Sequence, residues 1–164
     1  MAAYDPSSLI KTGTRIDWSA LIGAIKDKLP LMFGSVSADG PTNSTSATFA
    51  TLDSTTVELE ADEVLFVFYR CTLACNSVSA ARSFGEIRIT VDGTQVGKVS
   101  NVYTDYENNS KDGAQAICFG ITSALSGVLT IAGQGRVAWN AGGGDTVRFG
   151  NRELIWFKAK YRTA

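Results

Sequence analysis

The chain has 164 residues, no histidine, three cysteines, and 15 basic against 16 acidic side chains, for a formal net charge of −1. Without histidine, Ser-His-Asp and Cys-His nucleophilic sites and His-ligated zinc are excluded, and a near-neutral chain with no lysine or arginine run is not expected to take nucleic acid as a partner. Charged residues make up 19%, below the roughly 25% usual for soluble domains; serine and threonine fill the gap, which suits either polar, uncharged solvent faces or faces that other subunits cover.

The opening stretch MAAYDPSSLIKTG has neither a basic n-region nor an apolar h-region, so no secretion signal is expected and synthesis is placed in the cytoplasm. A helix is predicted from Asp17 to Leu29. Asp17 is a good N-cap, and Trp18, Leu21, Ile22, Ile25 and Leu29 recur on one face, until Pro30 ends the helix. Ser35 to Ala47, rich in Ser, Thr, Gly and Asn, reads as a loop or extended linker. Residues 1–47 are therefore taken as an arm, helix and linker, and 48–164 as the folded β domain.

From Thr48 onward the pattern is all β. Strands are predicted at 49–52, 56–60, 64–71, 86–91, 95–99, 115–121, 127–131, 136–139, 146–149 and 153–161, spaced by Gly, Asn, Asp and Ser as in an antiparallel sandwich or barrel. Asp92-Gly93 predicts a tight type I′ hairpin, with Ile87, Ile89 and Val91 facing inward. Val64–Tyr69 and Leu154–Phe157 are apolar on both faces, so something must cover the outer side of their sheet: the Trp18 helix or a neighbouring subunit. The Val64–Tyr69 run is far too short for a membrane span, and no membrane partner is expected. Cys71 and Cys75 on one strand lie too far apart to bridge, and the cysteines read as small buried hydrophobes kept reduced.

The succession from Thr56 to Lys160 runs T-V-E-L, an Asp-Glu turn, V-L-F-V-F-Y-R, I-R-I-T-V-D-G-T-Q-V-G, A-Q-A-I-C-F-G-I, S-G-V-L-T-I-A, Q-G-R-V-A-W, and a closing R-E-L-I-W-F after three glycines. It resembles the TNF/C1q-type jelly roll found in bacteriophage structural proteins, namely capsid decoration proteins and trimeric fibre or spike heads. Residues 1–47 match no part of that pattern. The resemblance implies an antiparallel jelly-roll β-sandwich, a homotrimer and a place in the virion. It also implies that Phe66, Phe68, Ile155 and Phe157 face the threefold axis.

Candidate chemistry elsewhere is weak. Glu58 with Glu60, Asp62 with Glu63, and Glu86 are the acidic groups that a carboxylate-dependent glycosidase would need, yet their spacing suits a solvated strand face and a turn. Thr104 to Gly113 gathers oxygen ligands without an EF-hand spacing, so it reads as a polar hairpin tip rather than a calcium loop. Gly133-Gln134-Gly135 and Gly142-Gly143-Gly144 lack the Lys-Ser/Thr of a phosphate loop and read as turns or bulges. Trp139, Phe149, Trp156 and Phe157 could stack on carbohydrate, but at strand spacing near the C-terminus they read as core. No catalytic residue, cofactor or metal is expected. Two surfaces remain: an arm meeting a major capsid protein or other virion protein through Tyr4, Leu9, Ile10, Arg15, Trp18, Leu21, Ile22 and Ile25, and a tip with Tyr103, Tyr106, Asn108 and Asn109 able to meet a receptor. Capsid decoration is the expected role, and a receptor-binding fibre head the alternative.

Overall fold

The computed structural model describes residues 32–76, 83–103, 114–122, 125–140 and 146–160. Among them the chain forms nine strands and no helix: β1 Met32–Ala38, β2 Thr42–Ser44, β3 Ala50–Leu59, β4 Glu63–Asn76, β5 Ser83–Val91, β6 Thr94–Tyr103, β7 Ala114–Thr122, β8 Gly127–Asn140 and β9 Thr146–Lys160. The helix predicted for 17–29 lies outside the described residues. The strands make two antiparallel sheets. The first runs β1-β9-β4-β7, with β2 also on β9; the second runs β3-β8-β5-β6. With β1 and β2 taken as one interrupted strand along β9, this order fits a jelly roll of eight strands in two sheets.

The core follows from alternation. β7 shows it without a break, its even-numbered positions from Ala116 to Thr122 buried and its odd ones exposed. Leu65, Val67, Tyr69, Cys71 and Leu73 of β4 meet Ile87, Ile89 and Val91 of β5, Ile131 and Val137 of β8, and Phe149 and Leu154 of β9. Each large apolar side chain removed from water this way contributes roughly 1.5–3 kcal/mol. The hairpin at Asp92-Gly93 has the expected positive φ angles, 46° and 77°. Asp92 Oδ1 also accepts a bond from the Thr130 amide at 2.7 Å, tying the turn to β8.

Three expectations are corrected. The segment after Pro30 is not a connector outside the sandwich: Phe33 pairs with Phe157 and Val36 with Leu154, so β1 is the edge strand of the first sheet, and Asn43 of β2 pairs with Arg148. Second, Gly133-Gln134-Gly135 is not a turn but mid-strand, so the two short strands predicted around it are one. A Cβ at Gly133 would overlap the Tyr69 ring, and one at Gly135 would stand 2.6 Å from Phe149; the glycines make room for aromatics from the opposite sheet. Third, the strands predicted at 49–52 and 56–60 are one strand with a register shift between Thr51 and Asp53. Likewise 146–149 and 153–161 join into β9 across an irregularity where Asn151 takes a φ of 45°.

Two buried ion pairs close the interior. Asp53 Oδ2 accepts from the Tyr69 hydroxyl at 2.7 Å and from Arg152 Nε at 2.9 Å. Arg152 Nη1 donates onward to the carbonyls of Gly40 and Phe149. At the other end, Lys158 Nζ donates to Glu63 Oε2 at 3.0 Å and to the Glu58 carbonyl at 2.9 Å. A buried charge left alone costs far more than a paired one; Asp53–Arg152 ties β3 to β9 across the two sheets, and Lys158, paired to Glu63 within the first sheet, reaches the second through the Glu58 carbonyl.

Candidate functional site

The outer face of the first sheet is built by the strands that carry the core on their inner side. On β4 the odd positions point inward, leaving Val64, Phe66, Phe68 and Arg70 outside. β9 contributes Glu153, Ile155 and Phe157, β7 contributes Ile117, Phe119 and Ile121, and β1 contributes Phe33. The registers align these into rows across four strands. One row is Phe33, Phe157, Phe66 and Ile121; the next is Ser35, Ile155, Phe68 and Phe119. The Phe66 and Phe157 rings stack with centroids 4.5 Å apart, and Phe68 lies 4.7 Å from Phe119 and 6.0 Å from Phe157.

The margins of this face are the most exposed. Phe33 is 72% exposed at the β1 edge, while Ile117, Phe119 and Ile121 are 58%, 43% and 52% exposed at the β7 edge. Scattered surface hydrophobes are ordinary, but a contiguous aromatic and aliphatic sheet face is not. A third row holds the charged pair of the face, Arg70 Nε to Glu153 Oε2 at 2.6 Å, which neutralises itself within the patch. At the β7 edge the apolar face turns a corner into an open cleft of about 500 Å³ between β6 and β7, lined by Lys98, Val99, Asn101, Ile117 and Phe119. Gly97, with a φ of 74°, permits this approach, since a Cβ there would run into the Phe119 carbonyl.

Phe66, Phe68, Ile155 and Phe157, named from the sequence, thus stand together on one face. Ile117, Phe119, Ile121 and Phe33 belong to the same face and were not singled out. The signal in A-Q-A-I-C-F-G-I was legible: its small residues Ala116, Cys118 and Gly120 point in and its large ones point out, the reverse of a strand made for water. The arm residues Tyr4, Leu9, Ile10, Arg15, Trp18, Leu21, Ile22 and Ile25 lie outside the described residues, as do Tyr106, Asn108 and Asn109. Tyr103 is the last residue of β6, paired across to Phe84.

The acidic candidates are mostly engaged with cations. Glu60 and Asp62 meet Lys160, and Glu86 meets Arg136 at 2.7 Å. Glu63 is the buried partner of Lys158: burial pushes its carboxyl up, but the Glu60 amide, the Lys158 ammonium and the charge of Lys160 outweigh that and hold it below its ordinary value. Burial pushes the Cys71 thiol up to about 12 and the Cys118 thiol up to about 11, so both are poor nucleophiles. Of the aromatics read as core, Phe149 is in the core and Trp156 packs partly buried against it, whereas Phe157 stands on the outer face because the β9 alternation turns it away from the opposite sheet, stacked on Phe66. Among the described residues, no group of three or more metal-ligating side chains occurs.

No family model matches the chain, and no curated protein matches it. Among solved structures, the tripod (BppUct-A-L) from the baseplate of bacteriophage Tuc2009 aligns at a TM-score of 0.47 and 15% identity over 99% of this chain and 79% of that one. The VP2 subviral particle of infectious bursal disease virus aligns at 0.46 and 12% identity, over 82% and 37% respectively. The C-terminal domain of the sugar-binding protein EclA aligns at 0.40 and 10% identity, over 71% and 78%. Likenesses this loose carry no argument about role.

Proposed function

We propose that this chain is a non-enzymatic virion structural protein that self-assembles through the outer face of its first sheet, with capsid decoration as its role. The observation that carries the reading is the contiguous face of Phe33, Phe66, Phe68, Phe119, Ile121 and Phe157 on a sheet whose other side is already the core. Covering Phe33, Phe119 and Ile121 in a contact would contribute roughly 1–2 kcal/mol apiece. Three copies around one axis is what the resemblance to TNF/C1q-type jelly rolls implies. Residues 1–29, an arm ending in the predicted amphipathic helix 17–29, supply the contact to the major capsid protein, and many weak attachments on one particle add up to firm binding.

Native mass measurement on the purified chain at micromolar concentration is expected to give a trimer. Ile121→Asp, at a position the core does not use, is expected to shift it to monomer with its circular dichroism unchanged. A wild-type monomer overturns the assembly reading. Binding to capsids that survives removal of residues 1–29 overturns the role given to the arm.

A further inference from the structure

The second sheet presents a different outer face. Arg88 and Glu86 of β5 stand across from Gln134 and Arg136 of β8, and Thr51 of β3 stands on the other side of Gln134. Phe49, in the segment leading into β3, lies against both arginines, with the guanidinium carbons of Arg88 and Arg136 at 4.1 and 4.5 Å from its ring centroid. Arg136 is satisfied: Nε and Nη2 both donate to Glu86 Oε2 at 2.7 Å. Arg88 is not paired with a carboxylate among the described residues. Its Nε donates to Gln134 Oε1 at 2.8 Å, and the Gln134 amide is itself oriented by a 3.3 Å bond to Thr51 Oγ1.

This arrangement holds Arg88 in place while leaving its terminal nitrogens without a protein acceptor among the described residues. A guanidinium anchored at Nε and stacked on an aromatic ring has lost its freedom in advance, so a planar oxyanion can take both terminal N–H groups at little ordering cost. The cluster carries two cations and one anion, so one further negative charge completes it. Among the described residues Glu86 engages Arg136 through Oε2 alone, so its other oxygen can accept from a hydroxyl group at the 14% of the side chain left exposed, and the exposed Thr51 stands across Gln134 from Arg88. A multiply charged phosphate is disfavoured by that carboxylate, whereas a polyol with a single carboxylate uses both halves of the site. We propose that the Arg88–Gln134–Thr51–Glu86 platform on the outer face of the second sheet binds a carboxylate-bearing sugar. The site is on the opposite sheet from the proposed contact face, and monomer or trimer carries it alike.

Saturation-transfer and chemical-shift titrations of the full chain test this, with sialyllactose and a glucuronate-ended disaccharide as acidic probes, lactose as the neutral one, and inorganic phosphate as the simple anion. At least one acidic sugar is expected to bind, with lactose weaker by about tenfold or more. Arg88→Gln is expected to lose about tenfold or more, and Arg88→Lys to lose most of it, since a point charge lacks the fork. Arg148→Gln, an exposed arginine of the first sheet, is expected to bind like wild type. Failure of both acidic sugars, equal binding of lactose, equal competition by phosphate, or full binding by Arg88→Lys each overturns the proposal.

Discussion

Lys158 stands among apolar strands with its ammonium on Glu63 Oε2 and the Glu58 carbonyl, and that one side chain decides how the sandwich end responds to acid. Glu63 has a folded pKa below its ordinary 4.5. It therefore adds stability that is complete above the unfolded value and is lost as pH falls through the folded one. Lys158→Met keeps the length of the side chain and removes the charge. The Glu63 carboxylate then keeps burial, the Glu60 amide and the charge of Lys160 but loses the Lys158 ammonium, so its pKa rises from the wild-type position. The variant is expected to be less stable than wild type by about 3–5 kcal/mol at pH 7, and the gap to narrow as pH falls towards 4, because protonation now relieves the penalty. Urea midpoints at both pH values check this; a gap that does not change with pH contradicts it. Tyr69 shows the same logic without a titration, since burial and its bond to Asp53 push the phenol far above its ordinary value and keep it a donor.

At the scale of the strand, β8 is where sequence pattern and structure part. The alternation of Val128 to Ile131 and Arg136 to Val137 was legible, but two glycines between them read as a chain reversal. What a one-dimensional pattern cannot show is the opposite sheet: Tyr69 and Phe149 occupy the volume that side chains at Gly133 and Gly135 would need. The strand therefore continues, paired with β3 on one side and β5 on the other. Native-state hydrogen exchange separates the two readings. The amides of Gly133, Gln134 and Gly135 are expected to exchange only with global unfolding, like their neighbours Ile131 and Val137, whereas a turn would exchange freely. β1 was hidden for another reason. Its Gly and Ser residues carry little hydrophobic signal, and its strand form comes from pairing with β9, a partner more than a hundred residues away by number. By contrast, Asp92-Gly93, the inward Ile87, Ile89 and Val91, and the doubly apolar β4 were legible because turn chemistry and alternation are local. Local pattern marked the strands of Phe66, Phe68, Ile155 and Phe157 as apolar on both faces, and the resemblance supplied the role of these four; the β7 residues could be read from the small-in, large-out alternation, and Phe33 joined the face only through register.

For the whole molecule, the two outer faces differ in kind. The second sheet shows threonine, serine, glutamine and a bonded Arg–Glu pair to solvent, and the first shows stacked phenylalanines interrupted by Arg70–Glu153. That interruption supplies a test of whether the first face is covered in solution. While the face stays in water, the pair is partly exposed, Arg70 at 52% and Glu153 at 26%, and contributes no more than about 1 kcal/mol, so losing either partner hardly matters. Once a second copy excludes water, a lone charge in the contact is costly, while two apolar replacements are not. Glu153→Gln is therefore expected to weaken self-association by about tenfold or more, through the unpaired Arg70 left in the contact. The double variant Arg70→Met, Glu153→Met is expected to recover wild-type association or exceed it. Sedimentation across a concentration series measures all three chains. Equal association by the single and double variants would mean that the pair stays in water and that the contact lies elsewhere, because only desolvation makes the second substitution undo the first.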